Sequence, residues 1–238
     1  MTLPPIDALV FDIQGTLLDF FTPVRQALAD ALSDRALPHD PTPLVNAWRQ
    51  TYFTGMTRVT KGERAFVPAS TIYREGLDQV LSEPALDKAF SATDRDELTR
   101  AWTWLVPWPD TADGLRRLRG GLILTGLTNG GMAPTLAITA RHDLAFHTIF
   151  ATEFVRAFKP DPATYKLALD GLGLPPDRVA MVASHPYDLE AARSHGMRTV
   201  FIDRPREFGP DTPNPAKAPP GTDATVTDLH QLADLLGA

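Results

Sequence analysis

Residues 9–20, LVFDIQGTLLDF, begin as an apolar run suited to a buried strand and change character at Asp12. A carboxylate at the end of such a run can cap a helix, make a turn or carry chemistry. The residues that follow favour chemistry. Gly15 permits a backbone turn that points amides back at the carboxylate, and Thr16 brings a hydroxyl within its reach. Donors placed this way keep a carboxylate ionised and fix its direction, as a nucleophile requires.

Similar runs recur along the chain. ALVFD (8–12), LILTGLTNG (122–130) and VAMVAS (179–184) are apolar and end at polar clusters, with TVFID (199–203) a fourth strand and TIFAT (148–152) a weaker fifth. Segments of helical period lie between them. In DPATYKLALDGLG (161–173), Asp161 can cap, Pro162 suits the first turn, and Gly171 or Gly173 suits the stop. DLEAARSHG (188–196) also closes on glycine. Strands alternating with helices from about residue 107 onward predict βαβ units: an α/β fold with a Rossmann-like doubly wound parallel sheet core. Functional residues should then gather at the strand C-terminal ends, where Asp12, Thr128 and Ser184 fall.

Residues 20–104 read differently, with four helical segments and no convincing strand. They predict a helical cap domain (20–104) inserted after the first strand of a core made of residues 1–19 and 105–238. An insert rising from that end of a sheet can exclude water from a site. WTWLVPWP (102–109) reads as core and hinge packing where the chain returns from the insert. The Pro- and Gly-rich residues 204–226 predict an ordered surface loop, and TDLHQLADLLG (227–237) a closing amphipathic helix.

Composition narrows the function. The 238 residues carry a formal net charge of −6, which argues against nucleic acid or an anionic membrane as partner. No segment has the length of apolar chain that a membrane span needs, and MTLPPID lacks the charged and apolar parts of a leader, so a cytoplasmic location is expected. With no cysteine there is no disulfide framework or thiolate nucleophile, and the six histidines lack ligand spacing. No metal or other cofactor is expected. Lys61, Lys88, Lys159, Lys166 and Lys217 are the only lysines, so each is worth placing.

FDIQGTLLD resembles the first motif of the haloacid dehalogenase superfamily, an apolar strand followed by D-x-x-G-T-L. The other motifs follow in order: LTNG (127–130), FKPDPATY (158–165) and VASHPYDLEAAR (182–193). Two departures bear on the subgroup. Phosphatase members carry a second Asp two residues after the nucleophile, where this chain has Gln14, and an acidic pair in the fourth motif, where it has Ser184 and keeps Asp188. An amide cannot act as a general acid at neutral pH, and one carboxylate fewer weakens a site for a hard cation.

The pattern is similar to the metal-free L-2-haloacid dehalogenase group, whose cap contributes an arginine from a Trp-Arg-Gln stretch. AWRQTYF (47–53) supplies Arg49, and helical spacing puts Tyr52 and Phe53 on its face. The resemblance implies that Asp12 attacks C2 of a short 2-haloalkanoic acid, giving an ester and free halide with inversion. Water then releases the 2-hydroxy acid. It further implies that Lys159 holds Asp12 ionised, that Asp188 orients Lys159 and helps activate water, and that Thr16 and Ser184 bond within the cluster. Arg49 and Asn129 would stabilise the departing halide and Thr128 would bind the substrate carboxylate. His185 stands where better-known dehalogenases have Asn, with contact to the bound acid or help in positioning water as its two candidate roles, and Gln14 where an aromatic residue is common; a polar amide there suits haloacetates, fluoroacetate included. Similar proteins commonly form homodimers. Two other readings stay open at this point: a magnesium-dependent phosphatase of small phosphoesters, and a non-catalytic binding member.

Overall fold

The computed structural model describes residues 4–82 and 86–238; residues 1–3 of the N-terminal stretch and 83–85 of the insert lie outside the described residues. The chain enters through β1 (Ala8–Phe11) and passes β2 (Leu18–Asp19) before four helices: α1 (Phe21–Ser33), α2 (Pro41–Thr60), α3 (Ala69–Ser82) and α4 (Ala92–Thr99). It returns through β3 (Val106–Pro107) and then alternates: α5 (Thr111–Leu118), β4 (Ile123–Thr128), α6 (Met132–Arg141), β5 (Thr148–Ala151), α7 (Pro162–Leu172), β6 (Val179–Ala183), α8 (Pro186–Ser194) and β7 (Arg198–Ile202). β8 (Ala224–Val226) and α9 (Leu229–Leu236) complete it.

Six strands pair in parallel in the order β5-β4-β1-β6-β7-β8. β1 lies inside the sheet, and all four of its residues are buried, as expected of a strand covered on both faces. Alternation sorts them into layers: Leu9 and Phe11 join the larger apolar core, Ala8 and Val10 the one under α7 and α8. After β1 the chain moves to β4 and β5 on one side, then crosses to β6, β7 and β8 on the other. The strand order therefore reverses around β1, and a crevice opens at the C-terminal ends of β1, β4 and β6.

Local chemistry sets the element ends. Asp161 caps α7 by accepting from the Ala163 N–H (2.9 Å), Pro162 opens the helix, and Gly173 ends it at φ +64°. Asp40 caps α2 through the Thr42 N–H (2.9 Å), and Pro41 follows it. α2 then buries Val45, Trp48, Arg49, Tyr52 and Met56, one stripe at helical spacing that contains a single charged residue.

β2 and β3 form a short antiparallel ribbon, Leu18 opposite Pro107 and Asp19 opposite Val106, where the helical insert leaves and rejoins the sheet. Trp108 fastens this junction: its N–H donates to the Leu17 carbonyl (3.0 Å) and its Nε1 to the Gly15 carbonyl (2.9 Å). Of the tryptophans expected to pack at this return, Trp102 is buried whereas Trp104 is 56% exposed, with Arg141 stacked on its ring. The core has room for the first ring, and the second covers the guanidinium from outside.

Residues 204–226 depart from the expected surface loop. Arg204 and Glu207 are both buried, and residues 224–226 form β8. Arg204 grips the Asp110 carboxylate with both Nη atoms (2.9 and 2.8 Å) and donates through Nε to the Thr16 carbonyl (2.8 Å). Buried charges of this kind need partners, and these partners draw the loop under the turn after β1.

Gly15 marks that turn. Its φ is +88°, and a Cβ built on it would stand 2.4 Å from Glu207 Oε1 and 3.1 Å from His185 Cε1. Gly15→Ala is therefore expected to lose stability by more than the ~1–2 kcal/mol of a left-handed residue alone, because Glu207 must also move. Urea unfolding compared with the parent protein measures it.

Candidate active site

Asp12 lies just past β1, its N–H donating to the Val182 carbonyl (3.0 Å), so the sheet itself positions the carboxylate. Lys159 Nζ donates to Oδ1 (2.7 Å), while Oδ2 accepts from the Thr16 hydroxyl (2.6 Å) and faces His185 Nδ1 (2.9 Å). Thr16 Oγ1 accepts in turn from the Ser184 N–H (3.0 Å) and lies 3.1 Å from Ser184 Oγ. Burial alone would raise the Asp12 pKa, but the Lys159 charge and the His185 contact outweigh it and hold the carboxyl well below the usual carboxylate range.

Lys159 bridges two carboxylates, since Nζ also donates to Asp188 Oδ2 (2.5 Å). Asp188 sits in the first turn of α8, and its Oδ1 accepts from the Tyr165 hydroxyl of α7 (2.6 Å). Burial opposes the Lys159 charge, yet the neighbouring charges of Asp12 and Asp188 push its pKa up, so the ammonium persists. Asp188 is pushed upward by burial, against the attraction of Lys159 and with the repulsion of Asp12.

The second wall comes from the helical insert. Arg49 is 3% exposed, and its guanidinium lies over the rings of Phe20 and Phe53 (4.6 Å each) and Tyr52 (5.2 Å). It donates to the Tyr73 hydroxyl (3.2 Å) and, at 3.5 Å, to Gln14 Oε1, while its Nε has no partner. No carboxylate among the described residues lies within salt-bridge distance of it. A buried cation with no direct ion-pair partner among the described residues and an idle donor suits an incoming anion. Tyr52 stacks face to face on Tyr73 (4.1 Å), so both tyrosines brace this wall.

Gln14 accepts from the Tyr73 hydroxyl (2.8 Å), whose pKa burial pushes up to about 12, so that phenol remains a donor. The amide thus tethers the loop after β1 to α3. Asn129, just beyond β4, accepts on Oδ1 from the Lys159 N–H (2.8 Å) and the Thr152 hydroxyl (3.2 Å). Its Nδ2 meets the Met56 sulfur (3.4 Å) and the Lys159 carbonyl (3.5 Å), both weak acceptors at these distances. Thr128 accepts from the Gly130 N–H through Oγ1 (3.0 Å), leaving the hydroxyl hydrogen to point elsewhere.

Asp12, Gln14, Arg49, Tyr52, Phe53, Thr128, Asn129 and His185 all line one cavity of about 10 Å³, closed further by Met56 and Tyr187. That volume is close to one water molecule's worth of accessible space. Thr16 and Lys159 stand behind it and hold Asp12, with Ser184 behind Thr16 and Asp188 behind Lys159. The twelve residues expected from the sequence therefore converge, eight on the cavity and four supporting its carboxylate.

Two participants carried no sequence signal, and a third was overlooked. Glu207 meets His185 Nε2 (2.9 Å) from the Pro- and Gly-rich loop, and Tyr73 reaches in from α3. Tyr165 belonged to the third motif and could have been noticed as a buried phenol one helical turn after the Asp161 cap.

A parallel sheet that presents an aspartate at the end of an inner strand, beneath a helical insert, is an α/β architecture with a Rossmann-like core. The chain belongs to the haloacid dehalogenase-like hydrolase family, whose model matches residues 6–196. It is 31% identical over 204 residues to an (S)-2-haloacid dehalogenase of Xanthobacter autotrophicus, covering 84% of this chain and 76% of that protein. An (S)-2-haloacid dehalogenase of Pseudomonas putida is 28% identical over 207 residues, covering 85% and 88%. Among solved structures, a defluorinating L-2-haloacid dehalogenase superposes with TM-score 0.91 at 35% identity, covering 98% of this chain and 96% of that one. The Xanthobacter autotrophicus L-2-haloacid dehalogenase with chloropropionic acid covalently bound superposes with TM-score 0.82 at 26% identity, covering 98% and 99%.

Proposed function

We infer that the protein is a hydrolytic dehalogenase that converts short 2-haloalkanoic acids to 2-hydroxy acids through an ester on Asp12. One observation carries the reading: a carboxylate held ionised faces, across a cavity of about 10 Å³, a buried arginine with no carboxylate partner among the described residues. The kinship with (S)-2-haloacid dehalogenases supports it.

In this reading Asp12 attacks C2 opposite the carbon–halogen bond. The C–O bond forms as the C–X bond breaks, and halide leaves as an anion that needs no proton. Gln14 therefore costs the reaction nothing by not being an acid, and its acceptor oxygen is engaged with Tyr73. Arg49 and the Asn129 amide face the developing negative charge, while Thr128 offers its hydroxyl hydrogen to the substrate carboxylate. Lys159 and Thr16 aim Asp12, Asp188 orients Lys159, and Ser184 supports Thr16. The helical insert, residues 20–104, acts as a cap over the core, and haloacetates and 2-halopropionate are the substrates this reading assigns. We also place the protein in the cytoplasm as a homodimer, which size-exclusion chromatography with light scattering tests.

Arg49→Ala is expected to reduce kcat/KM by about 10²- to 10³-fold, with Arg49→Lys recovering little, since a point charge cannot spread over three aromatic faces as a planar group does. Steady-state halide release measures both. The reading itself is tested by incubating chelator-treated protein with chloro-, bromo- and fluoroacetate and with each hand of 2-chloropropionate. Halide release from one of them supports it. Silence on all, with phosphate released from small phosphoesters in magnesium, would replace it with a phosphatase.

A further inference from the structure

The ester on Asp12 must be opened by water, and the groups able to take that water's proton are few. Asp188 has both oxygens engaged, by Lys159 and by Tyr165, and it does not border the cavity. Lys159 also lies outside the lining and keeps its proton between two carboxylates. His185 does border the cavity, with Nδ1 2.9 Å from Asp12 Oδ2.

Behind His185 stands a carboxylate that the first half-reaction does not use. Glu207 is fully buried; Oε1 lies 2.9 Å from His185 Nε2, and Oε2 accepts from Asn214 Nδ2 (2.9 Å). Arg204, three residues earlier, ties the same loop to Asp110 and to the Thr16 carbonyl. The ring itself is clamped, with Tyr187 stacked on one side (5.7 Å) and the edge of Phe53 on another (6.2 Å). Gly15 leaves the space through which this relay runs, since a Cβ there would strike Glu207 Oε1. A buried carboxylate, an imidazole and the reacting group in line form the arrangement by which an orienting acid fixes a histidine base.

We propose that Glu207 positions His185 as the general base that activates water for hydrolysis of the Asp12 ester. The proposal rests on the dehalogenase reading. In the resting enzyme Asp12 is an anion, and both ring nitrogens of His185 donate, one to each carboxylate. Burial pulls the imidazole pKa down, but the Glu207 charge and the contacts to Asp12 and Glu207 push it up to about 10. Alkylation makes Asp12 a neutral ester, so Nδ1 loses its anionic partner and releases its proton to solvent, alongside the departing halide. Nδ1 then faces the ester carbonyl with a lone pair, while Nε2–H stays on Glu207.

Water loses one proton to Nδ1 as its oxygen bonds to the Asp12 Cγ. The tetrahedral adduct breaks the Cγ–O bond to the former substrate, and the alkoxide takes the proton of the new carboxyl group. Asp12 returns as a carboxylate and His185 as an imidazolium. The whole cycle consumes one water and releases one halide and one proton. Besides Asp12 and Glu207, the groups facing His185 are Tyr187 and Phe53, with Arg49 across the cavity and Lys159 beyond Asp12.

The test uses the full chain with chloroacetate and the variants Glu207→Gln and His185→Asn, each checked by circular dichroism. Both should release about one equivalent of halide in a burst and then stall, with the ester on Asp12 visible by intact-mass measurement. Turnover should fall by about 10²- to 10⁴-fold, the range for general base catalysis. In Glu207→Gln, removing the anion disfavours the imidazolium, so the acid limb of the ester-hydrolysis rate should move to lower pH as its plateau falls; a merely structural role would leave the limb in place. In His185→Asn that limb should vanish. Retained turnover in either folded variant, or loss of the halide burst along with turnover, would overturn the assignment. The wild type separates the two readings: its silence on every haloacid overturns the dehalogenase and the relay with it, whereas wild-type turnover matched by Glu207→Gln overturns the relay alone.

Discussion

Asp12→Asn is expected to lose turnover by a factor on the order of 10⁴ or more, the scale on which covalent catalysts lose activity with their nucleophile. The amide is nearly isosteric and can still accept from Lys159, so the fold should survive. No ester should form, and no burst of halide should precede the loss. That outcome differs from the one expected for Glu207→Gln, where alkylation persists and hydrolysis stalls. Rapid-mix halide measurement at enzyme concentrations near that of the substrate distinguishes them.

Lys159→Met carries the second large effect, and it acts on stability and on rate together. Nζ lies 2.7 Å from Asp12 and 2.5 Å from Asp188, and its loss leaves two carboxylates in a buried site without their shared cation. Breaking a buried ion pair from one side costs about 3–5 kcal/mol, and urea unfolding at neutral pH reads it. The sign of the pH effect follows from Asp12. Its native carboxyl is held below the unfolded value of 3.8, so the group adds stability above that value and loses it as pH falls. Without Lys159 the native pKa rises and that contribution shrinks. The acid limb of kcat/KM should move up in pH in the same variant, because protonated Asp12 cannot attack.

Much of this site could be read from the chain because its chemistry sits where secondary structure makes a signal. Asp12, Thr128 and Ser184 follow apolar strand runs, and a parallel sheet brings such ends together however far apart they lie in sequence. Lys159 stood out by rarity and by its place in FKPDP, and Arg49, Tyr52 and Phe53 by helical spacing. The strands at 8–11, 123–128, 179–183 and 198–202 lie within two residues of the runs that announced them.

Elements lacking such periodicity were not visible. β2 and β3 are two residues each, too short for alternation to register, and β8 hides at the end of a Pro- and Gly-rich loop. Composition says that residues 204–226 turn often, but not that Arg204 and Glu207 turn inward. Their burial is decided by Asp110, Thr16 and His185, partners up to 188 residues away. Tyr73 was similarly hidden: a tyrosine in the apolar stripe of α3 reads as packing, and only its contacts with Gln14 and Arg49 give it a further part. Gly15 required two reasons at once, the positive φ of a turn and the passage of Glu207 beside it, and sequence supplies only the first.

The central claim is that Asp12 becomes an ester whose carbonyl, and not the substrate carbon, receives the water. A single turnover with enzyme in excess over chloroacetate, run in water labelled with heavy oxygen and followed by mass spectrometry of the Asp12 peptide and of the product, tests it most directly. The account predicts heavy oxygen in the Asp12 carboxylate and an unlabelled hydroxyl in the 2-hydroxy acid. Label in the product with none in Asp12 would contradict it.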